Sequence, residues 1–130
     1  MPQLEIRAWR HERPVRCFSH VGRNEVLAAN QRLAELIEAD PAVEGMGTTL
    51  DALLWDGTKL AFAHIGDSRA YRFREGRLTQ LSTDHTFVQS LVDDGRITAE
   101  EARVHPHRSL LLRAILGRDD FEPEFSWIQP

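Results

Sequence analysis

An α+β domain with antiparallel sheet is the fold class that the sequence predicts, on three observations. An amphipathic helical pattern covers 25–39. Short apolar and β-branched runs between 46 and 81 are separated by Asp-Gly and Glu-Gly turn signals. Short capped helical patterns then fill 84–116. The chain has 130 residues, 42% of them apolar, a size and composition that fit one small domain burying roughly two-thirds of its unfolded surface.

The elements follow in order. Residues 1–23 lack a clean period. Leu4, Ile6 and Ala8 alternate as in a short strand, but Pro14 and the His/Arg mixture interrupt them, leaving a short strand or disorder as equal readings. Asn24 is the predicted N-cap of the first helix, with Val26, Ala29, Leu33, Leu36 and Ile37 on its apolar face. Asp40-Pro41 ends it, because proline pushes the preceding residue out of the helical region. Residues 48–55 and 59–65 read as strands about a two-residue Asp56-Gly57 turn. In the second, Leu60, Phe62 and His64 share one face and Ala61, Ala63 and Ile65 the other, a pattern expected of a strand buried on both sides. Residues 69–74 and 78–81 form a second hairpin about Glu75-Gly76. Asp84 is the predicted cap of a helix over 86–94 that Gly95 ends. Thr98 and Glu101 form a capping box for a short helix. Ser109 is the predicted cap of a further helix over 110–116, stopped by Gly117. Phe121, Phe125 and Trp127 mark the start of a strand over 121–128.

Composition excludes several functions. No apolar run approaches the roughly 18–20 residues that span a bilayer, so no membrane span is predicted, and no signal peptide. The single Cys17 excludes a disulfide framework within the chain and points to a reducing, cytoplasmic setting. The formal net charge is −4, with 16 basic and 20 acidic residues. Residues 1–23 carry five arginines against Glu5 and Glu12, so the rest of the chain is acidic. An acidic body argues against a nucleic-acid backbone as partner.

On spacing alone, chemistry has few candidates. Gly66-Asp67-Ser68-Arg69 interrupts the sheet. Its carboxylate is either a turn residue capping its own backbone, the favoured reading, or an oxygen ligand for a hard cation. Asp84-His85 and His105-Pro106-His107 read first as solvated loop residues, since a proline between two histidines disfavours the strand that would let them share a metal. Gly45-Met46-Gly47 precedes a strand and lacks a Gly-Lys-Ser/Thr ending, so it reads as a turn rather than a phosphate cradle. The acidic set Asp93, Asp94, Glu100, Glu101, Asp119 and Asp120 reads as surface charge, and Cys17 as a bystander thiol.

Longer motifs say more. Glu44-Gly-Met-Gly-Thr-Thr-Leu50, Leu60-Ala-Phe-Ala-His-Ile-Gly-Asp-Ser-Arg-Ala-Tyr71 and Leu78-Thr-Gln-Leu-Ser-Thr-Asp-His85 resemble the bacterial metal-dependent PPM protein phosphatases, the protein phosphatase 2C family. Phe87–Ala102, His105-Pro106 and Leu112-Arg-Ala-Ile-Leu-Gly117 continue the likeness in the same order, over about three-quarters of the chain.

The resemblance implies a partial α/β/β/α sandwich over 24–130, missing terminal strands, with 1–23 unplaced. It implies hydrolysis of phosphoserine and phosphothreonine by water held between Mn²⁺ or Mg²⁺ ions, on proteins that Hanks-type kinases phosphorylate. It places Asp67 at a third, weaker metal site, and Asp84, His85, His105 and His107 on a flap beside the substrate. The family's Asp-Gly-Met-Gly-Gly, Ser-Asp-Gly and Gly-x-x-Asp-Asn motifs do not occur in this sequence. The expectation is therefore a domain truncated at both ends, with no catalytic residue assigned, inactive alone and prone to self-association through open sheet edges. Two alternatives stay open: a phosphoprotein- or kinase-binding fragment that does not cleave, and a half-domain completed by a partner chain.

Overall fold

The computed structural model describes residues 18–55 and 57–129. The expected strand at Leu4–Ala8, the basic segment up to Cys17, and Asp56 lie outside the described residues.

Helix α1 is Phe18–Ala39. It starts six residues before the expected cap, so Asn24 lies inside it, and the helix runs through the point where the charge changes sign. An interior asparagine costs well under about 1 kcal/mol, too little to end a helix. Asp40 ends α1 as expected, in an extended conformation, and its side chain accepts from the Ala42 N–H at 3.0 Å to cap a 3-10 turn at Pro41–Val43.

Strands β1 (Leu50–Trp55) and β2 (Leu60–Ile65) pair antiparallel, and β2 also pairs antiparallel with β5 (Glu124–Ile128), giving the order β1-β2-β5. The central strand carries the core: Phe62, Ala63, His64 and Ile65 are all buried, His64 and Ile65 to 1% exposure. The turn differs from expectation. A two-residue turn at 56–57 would oppose Trp55 to Thr58. Trp55 instead pairs with Leu60, leaving four residues between the strands. The register slides by two, which keeps every side chain on its expected face but sets Asp51 opposite His64.

A separate hairpin, β3 (Tyr71–Arg74) and β4 (Arg77–Gln80), forms where expected. Helix α2 is Phe87–Asp93, capped by Thr86, whose hydroxyl accepts from the Gln89 N–H at 3.2 Å. Asp84 is not its cap, because its carboxylate is held by Arg69. Helix α3 (Ala99–Val104) opens with the expected capping box of Thr98 and Glu101.

The expected helix over 110–116, with Ser109 as its cap, is absent. Its backbone groups are committed elsewhere: Leu110 O accepts from Phe87, Leu112 N–H donates to His85 O, and Ile115 exchanges two bonds with Thr48 at 3.0 and 2.8 Å. A seven-residue helix is marginal by itself, and these tertiary pairings win. Gly117 then lies against α1, so close that a Cβ would fall 2.7 Å from Ala34 N. Asn30 on α1 fastens this contact, accepting from Gly117 N–H and donating to Arg118 O, both at 2.9 Å.

Candidate functional site

The site grows from the end of β2. Gly66 has φ +109°, and a Cβ there would fall 2.3 Å from Thr49 Cγ2. Only glycine suits both the backbone angle and the space. The turn it makes leaves Asp67 exposed, with no hydrogen bond or ion pair among the described residues. Ser68 Oγ and Thr49 Oγ1 stand 2.7 Å apart and pin the turn to the start of β1.

Arg69 reaches Asp84 as a fork. Its Nε donates to both carboxylate oxygens, at 2.9 and 3.2 Å, and Nη2 donates to Oδ2 at 2.6 Å. Bonding to Asp84 raises the guanidinium pKa above its ordinary value, helped by Tyr71. Asp84 is the more covered partner, 11% exposed against 48% for Arg69. Arg69→Lys keeps the charge and loses the fork. A stability loss of about 1 kcal/mol is expected, read as a lower urea midpoint with unchanged slope.

His85 is tied to Gly66 in both directions. Its backbone N–H donates to Gly66 O at 2.9 Å, and its Nδ1 accepts from Gly66 N–H at 3.1 Å. Its Nε2 faces Glu124 Oε2 at 3.3 Å. With Nδ1 accepting, the ring hydrogen sits on Nε2 and the ring is neutral. Burial is the main reason that its pKa lies below the ordinary value, opposed by the bond to Glu124.

Beneath it lies His64. Nε2 donates to Thr83 O at 2.9 Å, and Nδ1 meets Asp51 Oδ1 at 2.5 Å. Both partners are natural acceptors, so a proton lies on the Nδ1–Asp51 axis whichever group holds it. The two imidazole centroids are 4.6 Å apart.

Asp67, Asp84 and His85 thus belong to one cluster, joined by the Gly66–His85 and Arg69–Asp84 bonds. His105 and His107 stand apart from it. They pack edge-on against Phe87, at 6.1 and 6.3 Å between centroids, and make no hydrogen bond to Asp67, Asp84 or His85. An open cleft of about 280 Å³ runs beside the cluster, bounded by Asp84, His85, Asp93, Arg113 and Glu124. Sequence reasoning gave no role to Asp51, His64 or Glu124. The available signal was His64 itself, a histidine inside an apolar strand, which has to find partners when buried.

A profile of the family described as protein phosphatase 2C matches residues 9–111, most of the chain. The chain belongs to the protein phosphatase 2C family. It is 55% identical over 94 residues to the serine/threonine protein phosphatase PstP of Mycobacterium tuberculosis, a span covering 72% of this chain and 18% of that protein. It is 35% identical over 124 residues to the protein phosphatase PhpP of Streptococcus pneumoniae, covering 95% of this chain and 45% of that protein. Among solved structures, the Mycobacterium tuberculosis phosphatase PstP/Ppp superposes with a TM-score of 0.76 at 52% identity, over 80% of this chain and 44% of that one. The PstP catalytic domain in complex with two manganese ions gives 0.78 at 43% identity, over 91% and 48%. The chain therefore spans less than half the length of these relatives, and its mixed helix and antiparallel sheet form part of their domain. The profile match begins at residue 9, well before α1.

The described residues do not fit a two-ion centre. No three His, Cys, Asp or Glu side chains among them are placed to share an ion, and adjacent divalent ions need several carboxylates. Asp67 offers one. Among the described residues no helix is long and apolar enough to cross a membrane.

Proposed function

We propose that this chain forms one wall of a metal-dependent protein serine/threonine phosphatase site, and that by itself it does not hydrolyse phosphate esters. The observation carrying this reading is the fastening of the Gly66–Asp67 turn to the 83–87 segment, through reciprocal Gly66–His85 bonds and the Arg69–Asp84 fork. It holds one exposed carboxylate at the rim of a stiff turn, beside the segment that the family resemblance makes a flap. In this role Asp67 lends an outer ligand to Mn²⁺ or Mg²⁺, and Asp84, His85, His105 and His107 border the protein substrate. The substrates are phosphoserine and phosphothreonine proteins that a Hanks-type kinase phosphorylates, in a cytoplasmic setting. The expected start of the phosphatase part at residue 24 would cut α1, so the division proposed carries that part back to residue 9, where the family match begins. Self-association belongs to the same reading, since the outer strands β1 and β5 carry exposed Leu53, Trp55, Phe125 and Trp127.

The test is a Mn²⁺ titration of the ¹⁵N-labelled chain with a phosphothreonine peptide present. Paramagnetic broadening centred on residues 66–69 and fading with distance from them is expected, lost in Asp67→Asn, with no phosphate released. Broadening centred elsewhere would remove Asp67 from the reading. Turnover that EDTA abolishes would overturn the claim of inactivity.

A further inference from the structure

His64 and His85 are both buried and in ring contact, and they hold the same segment from two sides. His64 holds it through Thr83 O, and His85 holds it to the end of β2 through Gly66. Leu112 N–H donates to His85 O at 2.8 Å, so the 110–116 segment hangs on the same residue. We propose that His85 is a proton-operated latch: neutral, it closes the Gly66–Asp67 turn onto the 83–87 segment, and protonated, it releases it. The inference stands whether or not the chain takes part in phosphate-ester hydrolysis.

The chemistry is local. A second ring proton must go onto Nδ1, the atom that accepts from Gly66 N–H at 3.1 Å. Two donors then face each other, and that bond is lost. The new positive charge would also lie beside the His64 ring, at 4.6 Å between centroids. His64 has no room to withdraw, being bonded at both nitrogens.

The charged groups around His85 divide. His64 of β2, backed by Asp51 of β1, and Arg113 of the 110–116 segment bear on it; His64 and Arg113 oppose a second positive charge. Glu124 of β5 favours protonation directly. Asp84 and Asp93 lie on the cleft wall, Asp84 already committed to Arg69. Burial, His64 and Arg113 prevail over Glu124, so His85 titrates below the ordinary 6.5. For a histidine so depressed, the unfolded chain binds the proton first as pH falls. Native stability is therefore complete above about 6.5 and declines as pH drops through the folded value. As pH falls through that folded value, the Nδ1–Gly66 bond opens.

The test follows the ring and amide nitrogens of the ¹⁵N-labelled chain from about pH 7.5 to about pH 4.5. At the upper end His85 is expected as the Nε2–H tautomer. Its titration should fall below 6.5, and the Gly66 amide should shift with the same midpoint. Glu124→Gln removes the group that favours protonation and should lower both midpoints together. Glu124 is about half exposed, so this variant leaves the core intact. A His85 midpoint at or above 6.5, a Gly66 amide that ignores it, a midpoint indifferent to Glu124→Gln, or global unfolding ahead of the Gly66 shift would each overturn the proposal.

Discussion

Gly66→Ala is expected to destabilise the chain by roughly 3 kcal/mol or more, the largest loss of any glycine replacement in β2 and its turns. Two costs add. A non-glycine residue at φ +109° is strained, by about 1–3 kcal/mol. Its Cβ would also stand 2.3 Å from Thr49 Cγ2 and 3.2 Å from Thr49 Cα, and the backbone atom cannot rotate away. Overpacking of this kind costs about 1–3 kcal/mol more. Gly57→Ala separates the two costs, since Gly57 has a similar φ of +100° with nothing within 4 Å of its Cβ position. Urea unfolding of both variants checks the difference. Equal losses would mean that the Thr49 contact contributes nothing.

The second large effect is at Asp51. Asp51→Ala leaves the Nδ1 side of a fully buried His64 without its partner. Removing one member of a buried, hydrogen-bonded pair costs about 3 kcal/mol. Asp51→Asn keeps an oxygen acceptor and is expected to lose about 1 kcal/mol. The ranking, Ala well below Asn, can be read by thermal or urea unfolding at neutral pH. A loss under about 1 kcal/mol for Asp51→Ala would sink the assignment of this pair as a main support of β2.

The sequence was legible where structure is local. The Glu75-Gly76 hairpin, the Thr98–Glu101 capping box and the Asp40 helix stop each depend on residues within four positions of one another, and all formed as expected. The failures depend on distant partners. Residues 110–116 carry a helical pattern and a plausible cap, but their backbone is claimed by Thr48, His85 and Phe87. The Asp51–His64 pair needed the strand register, and a two-residue turn would have set Asp51 opposite Phe62 instead. Asp84 looked like a cap because its Arg69 partner lies 15 residues away. At the candidate site, the Gly66–Arg69 motif was visible by its residues, whereas the tie to His85 across 19 positions was not.

The pairing of β2 with β5 has a consequence for synthesis. His64 lies opposite Glu124 and Ala63 opposite Phe125, so the central strand meets its second neighbour only after roughly 60 more residues have been translated. At about 5–20 residues per second, that interval is on the order of 3–12 seconds. During it, β2 can pair only with β1, and the most buried strand among the described residues has an open flank on the ribosome. Early capture by a holding chaperone, or by a neighbouring nascent chain, would compete most strongly at that stage.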